Sequence, residues 1–227
     1  MRMMTAAVAL ATAFALSVPA HAEDGASGDK GKWQFKLLGT AVLADGKLTE
    51  VNKDLVGLPG TLETKANDNY VPTVAIEYFF TDNISVETIC CVTQHDVDAT
   101  AGLPGAELVS DAKIIPATFT LKYHVDAGPI KPYIGAGPTY FIFIDEKPGA
   151  AAVGLGANGF KLNDKFGVAL QAGVDVPLGD GGMSLALDAK KYFLNTSAHW
   201  YVDGTEVIAT RHALDPWVLS AGMGFRF

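Results

Sequence analysis

Apolar residues in this chain recur at every second position in eight separate segments, a period that belongs to β-strands with one apolar face and not to helices. The segments are 33–43, 70–80, 84–94, 113–125, 131–143, 165–176, 183–194 and 213–227, each bounded by turn-forming residues. In the sixth, Phe166, Val168, Leu170, Ala172, Val174 and Val176 share one face, and Gly167, Ala169, Gln171, Gly173 and Asp175 share the other. In the last, Trp217, Leu219, Ala221, Met223, Phe225 and Phe227 oppose Val218, Ser220, Gly222, Gly224 and Arg226. The junctions alternate in length: 81–83, 126–129 and 177–182 are short, whereas 44–69, 95–112, 144–164 and 195–212 are long. This layout predicts an all-β fold, an eight-stranded antiparallel transmembrane β-barrel with short periplasmic turns and long extracellular loops.

Composition agrees with a membrane barrel. The chain is 49% hydrophobic with a mean hydropathy of +0.21, yet beyond its first residues no run approaches the roughly 18 apolar residues of a membrane-spanning helix. Its apolar residues are spread along strands instead of gathered in runs. Met1-Arg2-Met3-Met4, the apolar run 5–18, Pro19 and Ala20-His21-Ala22 have the layout of a signal peptide. The expected domains are therefore a signal peptide at 1–22 and an outer-membrane barrel at 23–227, in a Gram-negative cell. A net charge of −8 leaves no basic patch for phosphates and argues against nucleic acid. Cys90 and Cys91 are strand neighbours pointing to opposite faces, poorly placed for a mutual disulfide.

Aromatic residues on the apolar phase gather near the strand ends. Trp33, Phe35, Tyr78, Phe80, Tyr123, Phe225 and Phe227 lie towards the short turns, and Tyr70, Tyr140, Phe166 and Trp217 towards the long junctions. Two girdles of this kind mark the lipid–water boundaries. A soluble sandwich shows similar alternation, but the export signal, the loop asymmetry and the terminal Phe227 favour the barrel. Phe227 on the lipid phase is the end that outer-membrane assembly machinery recognises, so that machinery and outer-membrane lipid are expected partners.

The opposite phase is the expected lumen. It carries Lys36, Glu77, Glu87, Lys122, Asp175, Asp188, Lys190 and Arg226. Charges in a narrow interior have to pair, because an unpaired buried ion costs several kcal/mol, so a network in the periplasmic half is expected. Towards the long junctions the same phase becomes apolar at Leu38, Val42, Val71, Ile89, Ile114, Phe141, Phe143, Tyr192 and Leu194. Eight strands leave room for side chains or for one small ligand. Two readings stay open: a hydrophobic pocket for small apolar molecules above a charged floor, or plain packing.

Several segments, taken in order, resemble the OmpW outer-membrane proteins over nearly the whole mature chain. They are Thr81-Asp82-Asn83-Ile84-Ser85-Val86-Glu87, Ile114-Ile115-Pro116-Ala117-Thr118, Lys131-Pro132-Tyr133-Ile134-Gly135-Ala136-Gly137, Gln171-Ala172-Gly173-Val174-Asp175, and Leu214-Asp215-Pro216-Trp217 through Gly222-Met223-Gly224-Phe225-Arg226-Phe227. The resemblance implies a hydrophobic channel entered from outside, blocked below by polar residues, and a sideways release of small apolar molecules into the membrane where strand pairing is disrupted. Prolines 72, 116, 132 and 138 would each remove a ladder hydrogen bond; Pro72 and Pro116 are the candidates for that opening. One departure stands out: where the family implies a bulky apolar gate on the seventh strand, this chain has Asp188 and Lys190, so the gate is not carried over.

Rival functions find less support. A lipid hydrolase or acyltransferase needs a histidine beside a serine and a carboxylate. Of the mature histidines, His124 points into the expected lumen, and His95, His199 and His212 fall in or beside long loops, where a solvated role is the ordinary expectation. No nucleophile–base grouping is evident near Ser197, so the chain is expected to be no enzyme and to need no cofactor. His95, Asp96 and Asp98 on a loop tip could catch a cation, though no metal spacing is present. The alternative to transport is a structural or adhesive barrel acting through its extracellular loops. Within 145–164, the run 149–157 is apolar and flexible and could cap the pocket as a short helix.

Overall fold

In the computed structural model, residues 31–227 are described; the expected signal segment 1–22 lies outside them. The chain order is β1 (Trp33–Leu43), β2 (Lys47–Asp54), β3 (Glu63–Ala66), β4 (Asn69–Phe79), β5 (Ile84–Cys90), β6 (Thr93–Ala101), β7 (Glu107–His124) and β8 (Lys131–Ile144). It continues with β9 (Lys147–Pro148), α1 (Ala150–Gly154), β10 (Gly159–Leu162), β11 (Lys165–Pro177), β12 (Met183–Phe193), β13 (Asn195–Val202), β14 (Thr205–Ala213) and β15 (Trp217–Arg226).

Eight of these strands form a closed antiparallel ring, β1-β4-β5-β7-β8-β11-β12-β15 and back to β1. The ring closes by backbone pairing of Trp33 with Phe227, each donating to the other's carbonyl at 3.1 and 2.8 Å. Period two sets the faces. Along β1 exposed and buried residues alternate, with Trp33, Phe35 and Leu37 outward and Gln34, Lys36 and Leu38 inward. The outer face is exposed apolar surface all round, including Leu121, Ile134, Leu170, Leu187 and Leu219. A continuous band of this kind needs lipid against it. The expected girdle residues stand on that face, Phe166 and Tyr70 being 78% and 76% exposed.

The turn side is short and locally bonded. At residues 81–83 the Thr81 hydroxyl accepts from the backbone N–H groups of Asn83 and Ile84, and the Asn83 amide donates to the His124 carbonyl at 2.8 Å. The loop side corrects the sequence reading. The four long junctions are not irregular loops but extend the barrel outward as two walls. One wall is β3-β6 and the outer part of β7, with β9 added to it; the other is a four-stranded sheet, β10-β13-β14-β2. Hence the fourth barrel strand begins at Glu107, not near 113, the third stops at Cys90 and resumes as β6, and the last begins at Trp217. The apolar run 149–157 does carry a short helix, α1, which packs against β7.

Candidate functional site: a charged floor beneath an apolar chamber

Seven of the eight expected lumen charges meet in one cluster in the turn-side half of the barrel. Glu87 from β5 is its hub, accepting from Lys122 Nζ at 2.9 Å, Lys190 Nζ at 3.0 Å, Lys36 Nζ at 3.3 Å and the Gln171 amide at 2.9 Å. Glu77 is held by Lys36 and Lys122, both at 2.9 Å, and by His124 Nε2 at 2.8 Å. Asp188 receives Lys190 at 2.8 Å and the Tyr133 hydroxyl at 2.8 Å, and Asp175 lies 3.4 Å from Lys36. All are buried. Pairing and hydrogen bonding together offset a desolvation cost of several kcal/mol per ion, which neither partner could bear alone.

Arg226 is the exception and corrects the expectation. Its guanidinium lies 3.7 Å from the Phe79 ring centroid, donates to the Gly31 carbonyl and reaches Asp82 at 3.2 Å. It therefore closes the turn-side mouth and does not join the network, because β15 brings it one layer lower than the ring of lysines.

Above Lys190 the lining changes within two residues. Tyr192 is the next inward side chain on β12, with its ring 5.4 Å from that of Phe141. From there outward lies an apolar cavity of about 70 Å³. Of the expected lumen residues, Val42, Ile89, Ile114, Phe141, Phe143 and Tyr192 line it. Leu194 packs into the surrounding cluster, Leu38 packs lower, beside Ala75 and Ala186, and Val71 packs against both groups. The cavity is smaller than the roughly 150 Å³ that accepts benzene in an apolar protein interior. The lumen is thus neither filled solid nor open.

The chamber wall is weakest at one place. Pairing of β5 with β7 ends at Ile89–Thr118, and pairing of β6 with β7 begins at Thr93–Ile114, in the same register. That register sets Cys91 opposite Pro116, which has no N–H to give. On the other side, pairing of β4 with β5 ends at Val74–Cys90, and the same count sets Val92 opposite Pro72. Both candidate prolines therefore flank one unpaired dipeptide. Pro116 faces inward and lines the cavity with Cys91, whereas Pro72 is exposed on the outer face and keeps its register with Gly39 of β1. A shorter interruption on the far side of β7 falls at Pro138.

Comparison with known proteins agrees with this architecture. The profile of the OmpW family matches residues 29–227. The chain belongs to the OmpW family. An uncharacterised outer-membrane protein of Sinorhizobium fredii, y4mB, is 33% identical over 213 residues, covering 92% of this chain and 85% of its own. Outer membrane protein W of Vibrio cholerae is 29% identical, covering 73% of this chain and 77% of its own. Among solved structures, the crystal structure of OprG from Pseudomonas aeruginosa superposes with a TM-score of 0.73 at 25% identity, over 87% of this chain and 96% of that one. AlkL, solved in lipid bilayers, shares the fold with a TM-score of 0.71 at 24% identity, over 92% and 95%. This OmpW-family barrel is a protein of the Gram-negative outer membrane, so the turn side is periplasmic and the two walls are extracellular.

Several members of the site are neutral, and a count of charges passes over them. Tyr133 sits on the inward phase of β8 with Lys122 Nζ 3.7 Å from its ring centroid. Gln171 bridges Glu87 and Asp188. An added Cβ at Gly173 would run into the Tyr133 ring, so a small residue there makes room for it. Asp188 and Lys190, standing where the OmpW resemblance implies an apolar gate, belong to the floor.

The loop histidines divide. His199 is partly exposed, with Nδ1 2.7 Å from Glu206 and Nε2 3.2 Å from the Asn163 amide, so its second nitrogen is turned to an amide and not to Ser197. His95 and His212 are buried and line the chamber, contrary to the solvated role expected of them. His95 bonds the Asn67 carbonyl at 2.7 Å and the Thr93 hydroxyl at 2.9 Å, which occupies both ring nitrogens. Among the described residues no group of three or more His, Cys, Asp or Glu side chains is arranged to hold a metal ion. Burial pushes the His95 imidazole below its usual range and His212 down to about 4, opposed at His212 by the Gly46 carbonyl.

Proposed function

We propose that the barrel admits small apolar molecules from the extracellular side into the chamber and releases them sideways into the membrane between β5 and β7. One observation carries this reading: the apolar chamber stops on a buried ionic floor but shares Pro116 and Cys91 with an interrupted strand ladder. An apolar solute gains nothing by crossing seven buried charged groups, whereas the unpaired stretch leads from one apolar surface to another. The partners of the chain are then small hydrophobic molecules and outer-membrane lipid, and no catalytic or cofactor role is proposed.

Influx into liposomes carrying the barrel, measured for an apolar and a polar dye of equal size, tests the reading. Apolar influx should exceed that of empty liposomes and fall at least several-fold in Pro116→Val, which restores a ladder donor, while the polar dye stays excluded. Apolar influx equal to that of empty liposomes would leave a barrel that works only through its surface. The small size of the chamber favours that second reading.

A further inference from the structure

A second apolar cavity, of about 40 Å³, lies inside the extracellular lobe, further out than the chamber. Both walls and α1 enclose it: Leu58, Leu108, Ala152, Ala157, Trp200 and Val207 are among its lining. Val56, Leu103 and Leu155, also in that lining, are exposed to solvent, so its outer rim is apolar. Exposed apolar side chains grouped around a cavity mark a place where apolar ligands bind.

One side chain, His212 of β14, lines both cavities. Its Nε2 lies 2.7 Å from the Thr210 hydroxyl, and its Nδ1 3.3 Å from the Thr64 hydroxyl and 3.4 Å from the Gly46 carbonyl. Thr64 belongs to β3 and also donates to the Gly46 carbonyl at 2.6 Å. His212 therefore ties one extracellular wall to the other, on the line between two apolar spaces. Apolar packing alone gives no reason for an imidazole there, since burying one costs free energy unless its hydrogen bonds are made. A bonded polar collar can open by exchanging a few hydrogen bonds.

We propose that the outer cavity is a receiving site for small aliphatic molecules, separated from the inner chamber by a collar of His212, Thr64 and Thr210 that opens to join the two. This deepens the passage proposed above and rests on it for its purpose. Size makes the opening of the collar necessary to the proposal: each cavity is smaller than the roughly 150 Å³ that takes benzene, so a ligand of any length needs the partition displaced.

The test uses the full barrel in nanodiscs with Trp33→Phe and Trp217→Phe, which leaves Trp200 as the remaining tryptophan. Titration with bromobutane should quench Trp200 saturably. Ala157→Leu and Val56→Phe, two independent ways of filling the outer cavity, should each abolish that saturable quenching while the folded barrel still shows its heat-modifiable mobility. His212→Ala, which joins the cavities, should strengthen quenching by bromododecane relative to bromobutane by about four-fold, the effect of one further buried methylene. Quenching that rises linearly in every variant overturns the outer site, and an unchanged chain-length ratio in His212→Ala overturns the partition. Saturable quenching in a barrel without dye influx leaves the outer site standing and removes the sideways passage. Influx without quenching of Trp200 does the reverse.

Discussion

The two halves of the lumen are built on the same barrel strands with the same side-chain period, yet they solve the interior in opposite ways. Below Lys190 the space is filled by charged and amide side chains with interlocked hydrogen bonds. Above Tyr192 it is lined by aliphatic and aromatic groups that leave room between them. An ionic cluster is directional and fails when one member is lost, because the remainder is then buried and unbalanced. An apolar lining is non-directional and can repack around a guest. The difference teaches that this barrel keeps rigidity at its periplasmic end and compliance at its extracellular end.

Breaking the floor should have the largest effect. Glu87→Ala removes the carboxylate that three buried lysines share; it should lower stability by about 3–5 kcal/mol, read from urea unfolding in lipid vesicles, and a loss no greater than that of an outward substitution would contradict the contrast. Acidification should come next and act at the other end. His212, neutral in the folded lobe with a pKa near 4, meets an unfolded value near 6.5, so its contribution is complete above about pH 6.5 and disappears as the pH falls to 4. By linkage that amounts to about 3 kcal/mol, with His95, also depressed by burial, acting in the same direction. Protease access to the extracellular walls should therefore rise between pH 7 and pH 4.5, and His212→Leu should weaken the dependence. The smallest effect should come from Ile114→Ala in the chamber, costing about 2 kcal/mol, the low end for a buried isoleucine, while speeding uptake of a bulkier apolar dye; slower uptake would show a packed wall instead of a compliant one.

How far the sequence told this story depended on how loudly each period was written. The eight barrel strands were legible because Phe166 to Val176 or Trp217 to Phe227 put large apolar groups on one phase only. The floor was legible because lysine and carboxylate on the opposite phase demand each other. The extracellular walls were not, since Trp200 and Ile208 are the large apolar groups among the inward members of β13 and β14, and Thr196, Ala198, Thr210 and His212 beside them are too small or too polar to register as an apolar period. A local signal was available there: Asp203 and Gly204 both take positive φ, 48° and 78°, the two-residue hairpin turn that an Asp-Gly pair favours. Arg226 was misplaced because phase alone gives the face a residue occupies, and not its height.

The unpaired stretch at Cys91 and Val92 has a consequence for size. On the β7 side the ladder is paired below it at Ile89 and above it at Thr93. It is a slit sewn shut at both ends, about 14 Å long at the usual rise of a strand, in a sleeve that has no free edge from which to unravel. Such a slit widens only by bowing its two sides apart, and its length is fixed by the stitches. On the proposed sideways passage, a slender chain or a single flat ring would fit edgewise through an opening of that shape, whereas a rigid polycyclic body would have to break the stitches first.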